Sequence, residues 1–223
     1  MLFEGQAGRF FQRASGVIAA SLTAMQSVRV AQNEEAADEQ TRAGLRFFLS
    51  SNGATGIAPV QALPTTAAQW FIYNPLGNGN GGITAFIDLV GVSLISGSAG
   101  AGGTLIANIC PPKFIPATIP TVNTAGVLIK NANAASPKGS SLIVVASQTL
   151  QNAVAGDWFP LAQMNANAGT ILGQTQIMTG PELRGRICLP PGTGLALAVI
   201  SPTGTTPLFG PVGSWREYAA DTE

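Results

Sequence analysis

The sequence predicts a mainly β protein, an antiparallel β-sandwich of jelly-roll type over residues 46–223, preceded by an N-terminal α-helical arm over residues 1–45. Three observations predict this fold. Residues 6–43 contain no proline and are rich in Ala, Gln, Glu and Arg, which favour helices. From Phe47 onward, short runs of Val, Ile, Leu, Phe and Thr alternate with clusters of Gly, Asn and Pro. No helical pattern separates these runs, which argues against a parallel βαβ sheet.

The N-terminal arm is predicted from one apolar face. Phe11, Ile18, Leu22 and Met25 recur at intervals that place them on one side of a helix. Such a face either packs on its own domain or reaches neighbouring subunits. If the arm reaches other subunits, we expect its anchoring residues to be Phe10, Phe11, Ile18, Leu22 and Met25.

A break is expected near Gln32, before a second helical piece, NEEAADEQTRAGL, at residues 33–45. Its acidic residues fall in the first turns and Arg42 lies near its end, as the helix dipole prefers.

The remaining chain predicts about eight to eleven short strands. The candidates are Arg46–Ser51, Gln69–Asn74, Ile83–Ile95, Thr104–Ile109, Gly126–Lys130, Leu142–Gln148, Asp157–Gln163, Thr170–Met178, Arg184–Leu189, Gly194–Ile200 and Gly213–Tyr218.

Two of these strands are apolar on both faces, which is typical of strands that are covered on both sides. In Ile83–Ile95, simple alternation puts Ala85, Ile87, Leu89, Gly91, Ser93 and Ile95 on one face, with Gly91 as a candidate bulge. In Gly194–Ile200, one face carries larger residues and the other carries Ala196 and Ala198, which allow a neighbouring surface to come close.

The charge content favours a subunit of an assembly. Only 10% of the 223 residues are charged, the formal net charge is zero and the mean hydropathy is +0.29. Between Phe47 and Gly180 the charged residues are Asp88, Lys113, Lys130, Lys138 and Asp157. A free monomer of this composition would be poorly soluble, so we expect sister copies to cover its apolar strands. No apolar run of about 18 residues predicts a membrane span, and no basic patch predicts nucleic-acid binding.

The sequence predicts no catalytic, cofactor or metal site. Histidine is absent, which excludes Ser-His-Asp and Cys-His catalysis and histidine metal ligands. Cys110 and Cys188 can form a disulfide or stay as two buried free thiols. The glycine-rich stretches at residues 77–82 and 97–104 are predicted to be connections between strands, since no helix follows the first and the second lacks a lysine.

Some other residues are predicted to be structural. The three tryptophans, Trp70, Trp158 and Trp215, are expected in the core. Arg184 and Arg186 could bind an anion, but a pairing with Glu182 is the simpler expectation. The charged residues of SWREY, at residues 214–218, predict an edge strand that discourages further pairing.

Three features resemble the accessory structural proteins of tailed-bacteriophage virions, of the capsid decoration (cement) or fibre type. They are the Ala-, Ser- and Gln-rich N-terminal segment, the charge-poor strands rich in Gly, Asn and Thr, and the segment LPPGTGLALAVISPTGT at residues 189–205, which SWREY follows. The resemblance extends over residues 45–223. It implies a trimer and carries over no catalytic residue.

We therefore expect a non-enzymatic virion protein, most simply a head decoration protein that stabilises the capsid through its arm and its oligomeric β domain. Its partners would be sister copies and the major capsid protein or another virion protein, at the capsid surface rather than the tail. One alternative is a fibre or tail module that binds a host glycan, with Trp158, Tyr73, Asn78 and Asn80 as candidate ligand residues. Another is a jelly-roll capsid subunit.

Overall fold

The computed structural model divides into two compact units, residues 1–40 and 41–223. The predicted boundary at residues 45/46 stays a prediction. The structure describes residues 20–22, 28–30, 35–51, 56–76, 82–96, 103–112, 116, 118–124, 126–151, 157–164, 178–201 and 207–219.

The described part of the N-terminal unit differs from the predicted helical arm. Strand β1 (Ala20–Leu22) pairs antiparallel with strand β2 (Val28–Val30), and helix α1 (Glu35–Arg42) follows. The prediction of helix is therefore wrong at β1 and β2. The valines of β2 are β-branched and favour strands, whereas the sequence of α1 has acidic residues at its start and no β-branched residue before Thr41.

Helix α1 ends at a glycine cap. Gly44 has φ +67°, a conformation that only glycine adopts easily, and its N–H donates to the carbonyl of Thr41. Side chains of one loop donate to the next three carbonyl oxygens: Asn133 to Arg42, Lys138 to Ala43, and Asn131 to Gly44, at 2.9–3.0 Å. The carbonyl oxygens of residues 41–44 thus all accept a hydrogen bond.

The second unit is built from two antiparallel sheets. The six-stranded sheet contains β3 (Arg46–Ser51), β5 (Ile83–Ser96), β7 (Val127–Asn131), β10 (Met178–Thr179), β11 (Glu182–Leu189) and β13 (Leu208–Ala219). The five-stranded sheet contains β4 (Ala67–Asn74), β6 (Gly103–Cys110), β8 (Ile143–Thr149), β9 (Phe159–Met164) and β12 (Thr193–Ile200). The mainly β, antiparallel prediction is confirmed.

The strands are not ordered as they occur in the chain. In the first sheet the order is β10-β5-β13-β3-β7, with β11 also beside β5, and in the second it is β8-β4-β12-β6-β9. Ten of the eleven strands predicted from Arg46 onward have a counterpart. The other prediction, Thr170–Met178, is not tested, because only Met178 of it lies within the described residues.

One hydrophobic core lies between the two sheets. The indole of Trp215 stacks on Phe47 at 6.4 Å between ring centroids, and both rings are buried. The five-stranded sheet contributes Trp70 and Leu195 to the same core. Because residues of both sheets share one cluster, the sheets pack face to face like the two layers of a sandwich. The prediction that the tryptophans are core residues is confirmed, since Trp158 is buried as well.

Strand β12 is buried on both sides within a single chain. Its larger residues, Leu195, Leu197 and Val199, lie in the core between the sheets, as predicted. Ala196 and Ala198 lie on the outer face of the five-stranded sheet, in a second buried cluster with Phe71, Tyr73 and Trp158. This charge-free strand therefore needs no second copy to cover it.

Two predictions about single strands are corrected. Strand β5 changes faces at Asp88, because Trp215 pairs with Ile87 while its neighbour Ser214 pairs with Leu89. The bulge therefore falls at Asp88 rather than Gly91, and beyond it Val90 and Val92 point into the core instead of Leu89. Strand β13 is not an edge strand, because it pairs with both β3 and β5.

Candidate functional site

The outer face of the six-stranded sheet carries the candidate site. Successive side chains of a strand point to opposite faces. Phe47 and Leu49 enter the core, so Arg46 and Phe48 point outward, and 47% of Phe48 is exposed. By the same alternation Lys130, Arg216, Phe86 and Tyr218 lie on this face. We call these six residues (Arg46, Phe48, Phe86, Lys130, Arg216 and Tyr218) the arginine–aromatic face.

Cross-strand register aligns these residues in rows. Arg46 lies opposite Arg216, which lies opposite Phe86. In the adjacent row, Lys130 lies opposite Phe48. Residues directly opposite on one face are close enough to interact, so side chains from four strands form one continuous surface.

Two contacts involve the aromatic rings of this face. The guanidinium carbon of Arg46 lies 5.9 Å from the centroid of the Phe48 ring, within the range of a cation–π contact. Phe86 and Tyr218 meet edge to face, with ring centroids 5.7 Å apart. Both contacts hold aromatic rings in fixed positions at the surface.

The two arginines that face each other differ in their partners. Arg216 forms an ion pair with Asp88, with 2.8 Å between Nη2 and Oδ1 and a second bond of 3.1 Å from Nε. Asp88 is available for this pairing because the bulge turns it outward. Gly185, at φ +78°, leaves room for the guanidinium, since an added Cβ would lie 2.5 Å from its Nη2. Arg216 is therefore both neutralised and held in place.

The other two cations of this face, Arg46 and Lys130, have no carboxylate partner among the residues that the structure describes. Among the described residues, the ion pairs are Arg216–Asp88 and Arg184–Glu182, of which the second was predicted. Neither contains Arg46 or Lys130. The Nε of Arg46 is buried without a hydrogen-bond acceptor. The face therefore carries unpaired positive charge beside exposed aromatic surface.

The anchoring residues predicted for the arm are mostly not described. Phe10, Phe11, Ile18 and Met25 lie outside the described residues. Leu22 lies in β1, where its backbone pairs with Val28, and not in the predicted helix. Their proposed role stays a prediction.

Two of the four candidate glycan ligands are buried. Tyr73 is buried, and Trp158 is buried with its indole N–H donating to the carbonyl of Pro64 at 2.8 Å. Asn78 and Asn80 lie outside the described residues. Tyr73 and Trp158 are thus core residues rather than a platform for a sugar.

Both cysteines are free thiols, which answers the question that the sequence left open. Cys110 is buried in β6 of the five-stranded sheet, whereas Cys188 is exposed on β11 of the other sheet. Burial raises the pKa of the Cys110 thiol to about 12, so this sulfur is neutral at physiological pH. Burial also raises the pKa of Cys188.

Within the described ranges, no cluster of three or more potential metal ligands occurs. Over the same residues, no helix is both long enough and apolar enough to cross a membrane.

The arginine–aromatic face was not found by sequence reasoning. The sequence indicates it in one way only. Arg46 and Phe48 lie two positions apart on β3, and Arg216 and Tyr218 lie two positions apart on β13, so the two members of each pair point to the same face of the sheet. The pairing of β13 between β3 and β5 joins these residues, and it is a long-range property that local patterns do not specify. Comparison of the chain with models of known protein families, with curated proteins and with solved structures finds no match.

Proposed function

We propose that this chain is a non-enzymatic structural subunit of a bacteriophage virion, a decoration protein that binds the capsid surface and stabilises it. In this proposal the β domain is a jelly roll that assembles as a trimer, and its arginine–aromatic face docks on an acidic surface of the capsid protein. The N-terminal residues form a second attachment.

The strand order supports the jelly roll. Eight of the strands, numbered along the chain as one to eight, are β3, β4, β5, β6, β9, β11, β12 and β13. In a jelly roll, strands one, eight, three and six form one sheet, and strands two, seven, four and five form the other. The observed neighbours are β3-β13-β5-β11 and β4-β12-β6-β9, which follow that order. The inserted strands β7 and β8 each extend one sheet at its edge.

The arginine–aromatic face is the observation that carries the docking proposal. Arginine and aromatic residues are enriched at protein interfaces, where they dominate the binding energy. Phe48 offers exposed apolar surface, and it is flanked by Arg46 and Lys130, which pair with no carboxylate in the described ranges. An acidic, partly apolar partner surface would supply the missing carboxylates and cover the ring, so charge complementarity selects this class of partner.

The fold by itself does not select a virion protein, because jelly rolls carry many functions. The phage assignment depends on the sequence resemblance and on the scarcity of charge, which favours a chain that works inside an assembly.

Binding to particles tests the docking proposal. Shells of the phage that carries this gene, prepared without this protein, are mixed with the purified chain and separated by sedimentation. We expect saturable binding that the double variant Arg46→Gln, Phe48→Ser reduces by about a hundredfold, because interface residues of these types each contribute about 1–2 kcal/mol.

The matched control is Arg184→Gln. It removes an arginine of the same sheet that already pairs with Glu182 and lies outside the arginine–aromatic face. It should bind as the unaltered chain does. Equal binding by the double variant, with its folding verified by thermal unfolding, would contradict the docking proposal.

The two alternatives make different predictions. A shell-forming jelly-roll subunit would assemble alone into closed particles, visible by sedimentation and electron microscopy. A glycan-binding fibre module would not bind phage shells, and the buried positions of Tyr73 and Trp158 remove two of the residues predicted for that role.

A further inference from the structure

A cleft of about 220 Å³ lies between the two sheets, away from the arginine–aromatic face. It is partly open to solvent. Its wall residues come from β3, β4, β7, β8 and β13, and from residues 56, 57, 124 and 126 between strands. Apolar walls are formed by Trp70, Val127 and Phe209, and hydroxyl groups are contributed by Ser51, Thr124 and Ser147.

One wall of this cleft is formed where the chain passes from one sheet to the other, at Thr124 and Gly126. Before the crossing, the chain is attached to β8: the side chains of Asn123 and Thr124 accept hydrogen bonds of 2.7 and 2.9 Å from the N–H groups of Val144 and Ala146. After Gly126, at φ +84°, the chain enters β7 of the opposite sheet. This wall of the cleft is therefore held by hydrogen bonds from backbone N–H groups of β8 to two side chains.

Ser147 has an unusual backbone conformation at this cleft. Its φ is +56°, in the left-handed region that disfavours residues other than glycine. Such strain persists where surrounding structure imposes it, and it occurs preferentially at ligand sites. Ser51 and Ser147 both line the cleft, and Ser147 is exposed, so their hydroxyls are accessible to a ligand.

The lining selects the ligand by charge and by size. None of the lining residues is charged, so an ion would lose its hydration without gaining a partner. A cavity of about 150 Å³ accommodates benzene, so 220 Å³ has room for a six-membered ring with small substituents. Apolar walls and accessible hydroxyls together suit a ring that has one apolar face and hydroxyl groups at its edge.

We propose that this cleft binds a neutral sugar ring. The ring's carbon face would contact Val127 and Phe209, and its hydroxyls would bond to Ser51, Thr124 and Ser147. A free monosaccharide and the end of a polysaccharide chain present the same chemistry to such a site. This site is separate from the proposed capsid-docking face and does not depend on it.

Titration followed by amide and indole N–H chemical shifts tests the site directly. The probes are glucose, galactose and mannose, with glucuronate as a charged counterpart of similar size, and a neutral polysaccharide of each sugar. We expect saturable shifts at the Trp70 indole and the Gly126 amide with at least one neutral sugar, and no such shifts with glucuronate. Binding of only the polysaccharide would identify a chain end as the ligand.

Point variants test whether the sugars bind in this cleft. Ala146→Phe fills the cleft and should abolish the shifts, whereas Thr149→Phe adds the same ring at an exposed position of β8 outside the lining and should leave them intact. Ser147→Gly relieves the positive φ and removes one hydroxyl. It should therefore unfold at higher temperature yet bind about tenfold more weakly, since one hydrogen bond of about 1.4 kcal/mol corresponds to a factor of ten.

The proposal is overturned if no neutral sugar gives saturable shifts, if glucuronate binds equally well, or if a folded Ala146→Phe variant binds unchanged. Particle binding by Ala146→Phe should equal that of the unaltered chain, so failure of the sugar site and failure of the docking proposal are distinguishable.

Discussion

The indole N–H of Trp215 donates a hydrogen bond of 2.9 Å to Oε1 of Glu217, two residues further along β13. The same carboxylate accepts hydrogen bonds from the Ser140 hydroxyl and from the Ser141 N–H, the latter at 2.9 Å to Oε2. Glu217 is only 3% exposed, so these donors replace the water that its charge would otherwise require. Because Ser141 precedes β8, the carboxylate connects the two sheets.

Removal of this carboxylate should strongly destabilise the β domain. Glu217→Ala leaves the buried indole N–H of Trp215 and the N–H of Ser141 without acceptors, so we expect the free energy of unfolding to fall by about 3 kcal/mol. Urea denaturation measures it. The matched control is Glu182→Ala, which removes an exposed ion pair and should change the free energy of unfolding by less than about 0.5 kcal/mol. Equal effects of the two variants would show that the Glu217 contacts contribute little.

Gly194 is required by close packing in β12. A Cβ at this position would overlap the Phe71 ring and lie 2.9 Å from the carbonyl oxygen of Ile72. Gly194→Ala should therefore lower the free energy of unfolding by about 2 kcal/mol, as overpacked core positions do. Gly139→Ala is the control, because a Cβ there meets no atom within 4 Å. A Gly194→Ala variant as stable as this control would contradict the packing of β12 against β4.

The two thiols should differ in reactivity. At pH 8, Ellman's reagent should titrate one thiol per native chain, Cys188, because the sulfur of Cys110 is buried and its pKa is raised to about 12. The second thiol should react only after unfolding in denaturant. A Cys188→Ser variant should show no fast reaction in the native state, and a fast phase in this variant would disprove the burial of Cys110.

The raised pKa of Cys110 also sets a pH dependence. The folded chain favours the neutral thiol, whose pKa in the unfolded chain has the ordinary value of 9.0. The contribution of this thiol to stability is therefore complete below pH 9.0 and is lost as the pH rises from 9.0 toward about 12. Above pH 9, the free energy of unfolding should decline more steeply for the unaltered chain than for Cys110→Ala. Parallel pH profiles of the two proteins would contradict the shift.

Deletion of residues 1–43 tests the proposed N-terminal attachment. The deletion removes the carbonyl acceptors of Asn133 and Lys138, but those hydrogen bonds are exposed and both sheets begin after residue 45. We expect a folded oligomer that no longer binds particles, measured by sedimentation with phage shells. Full occupancy of the shells by the shortened chain would refute the role assigned to Phe10, Phe11, Ile18, Leu22 and Met25.

Local patterns predicted the strands and part of the core. Strand β3 was predicted with its observed bounds, Arg46–Ser51, and the two faces of β12 were assigned correctly. In β5 the faces predicted from the alternation of side chains were wrong beyond residue 88, because the bulge at Asp88 shifts every later residue to the other face. The charges of β13 suggested an edge strand, but Glu217 is satisfied by hydrogen bonds from residues more than 70 positions away, which no local pattern reveals.

The sequence by itself determined the mainly β class, the positions of the strands from Arg46 onward and the shortage of charge, because these follow from residue type and from the two-residue period of a strand. The tertiary structure alone decided which strands are neighbours. That pairing brings Arg46 and Arg216 side by side, buries Tyr73 and Trp158, and opens the cleft beside Ser147. Strand pairing is set by contacts between residues distant in sequence, whose free energies depend on the whole fold, so neither the arginine–aromatic face nor the cleft could be found from the sequence alone.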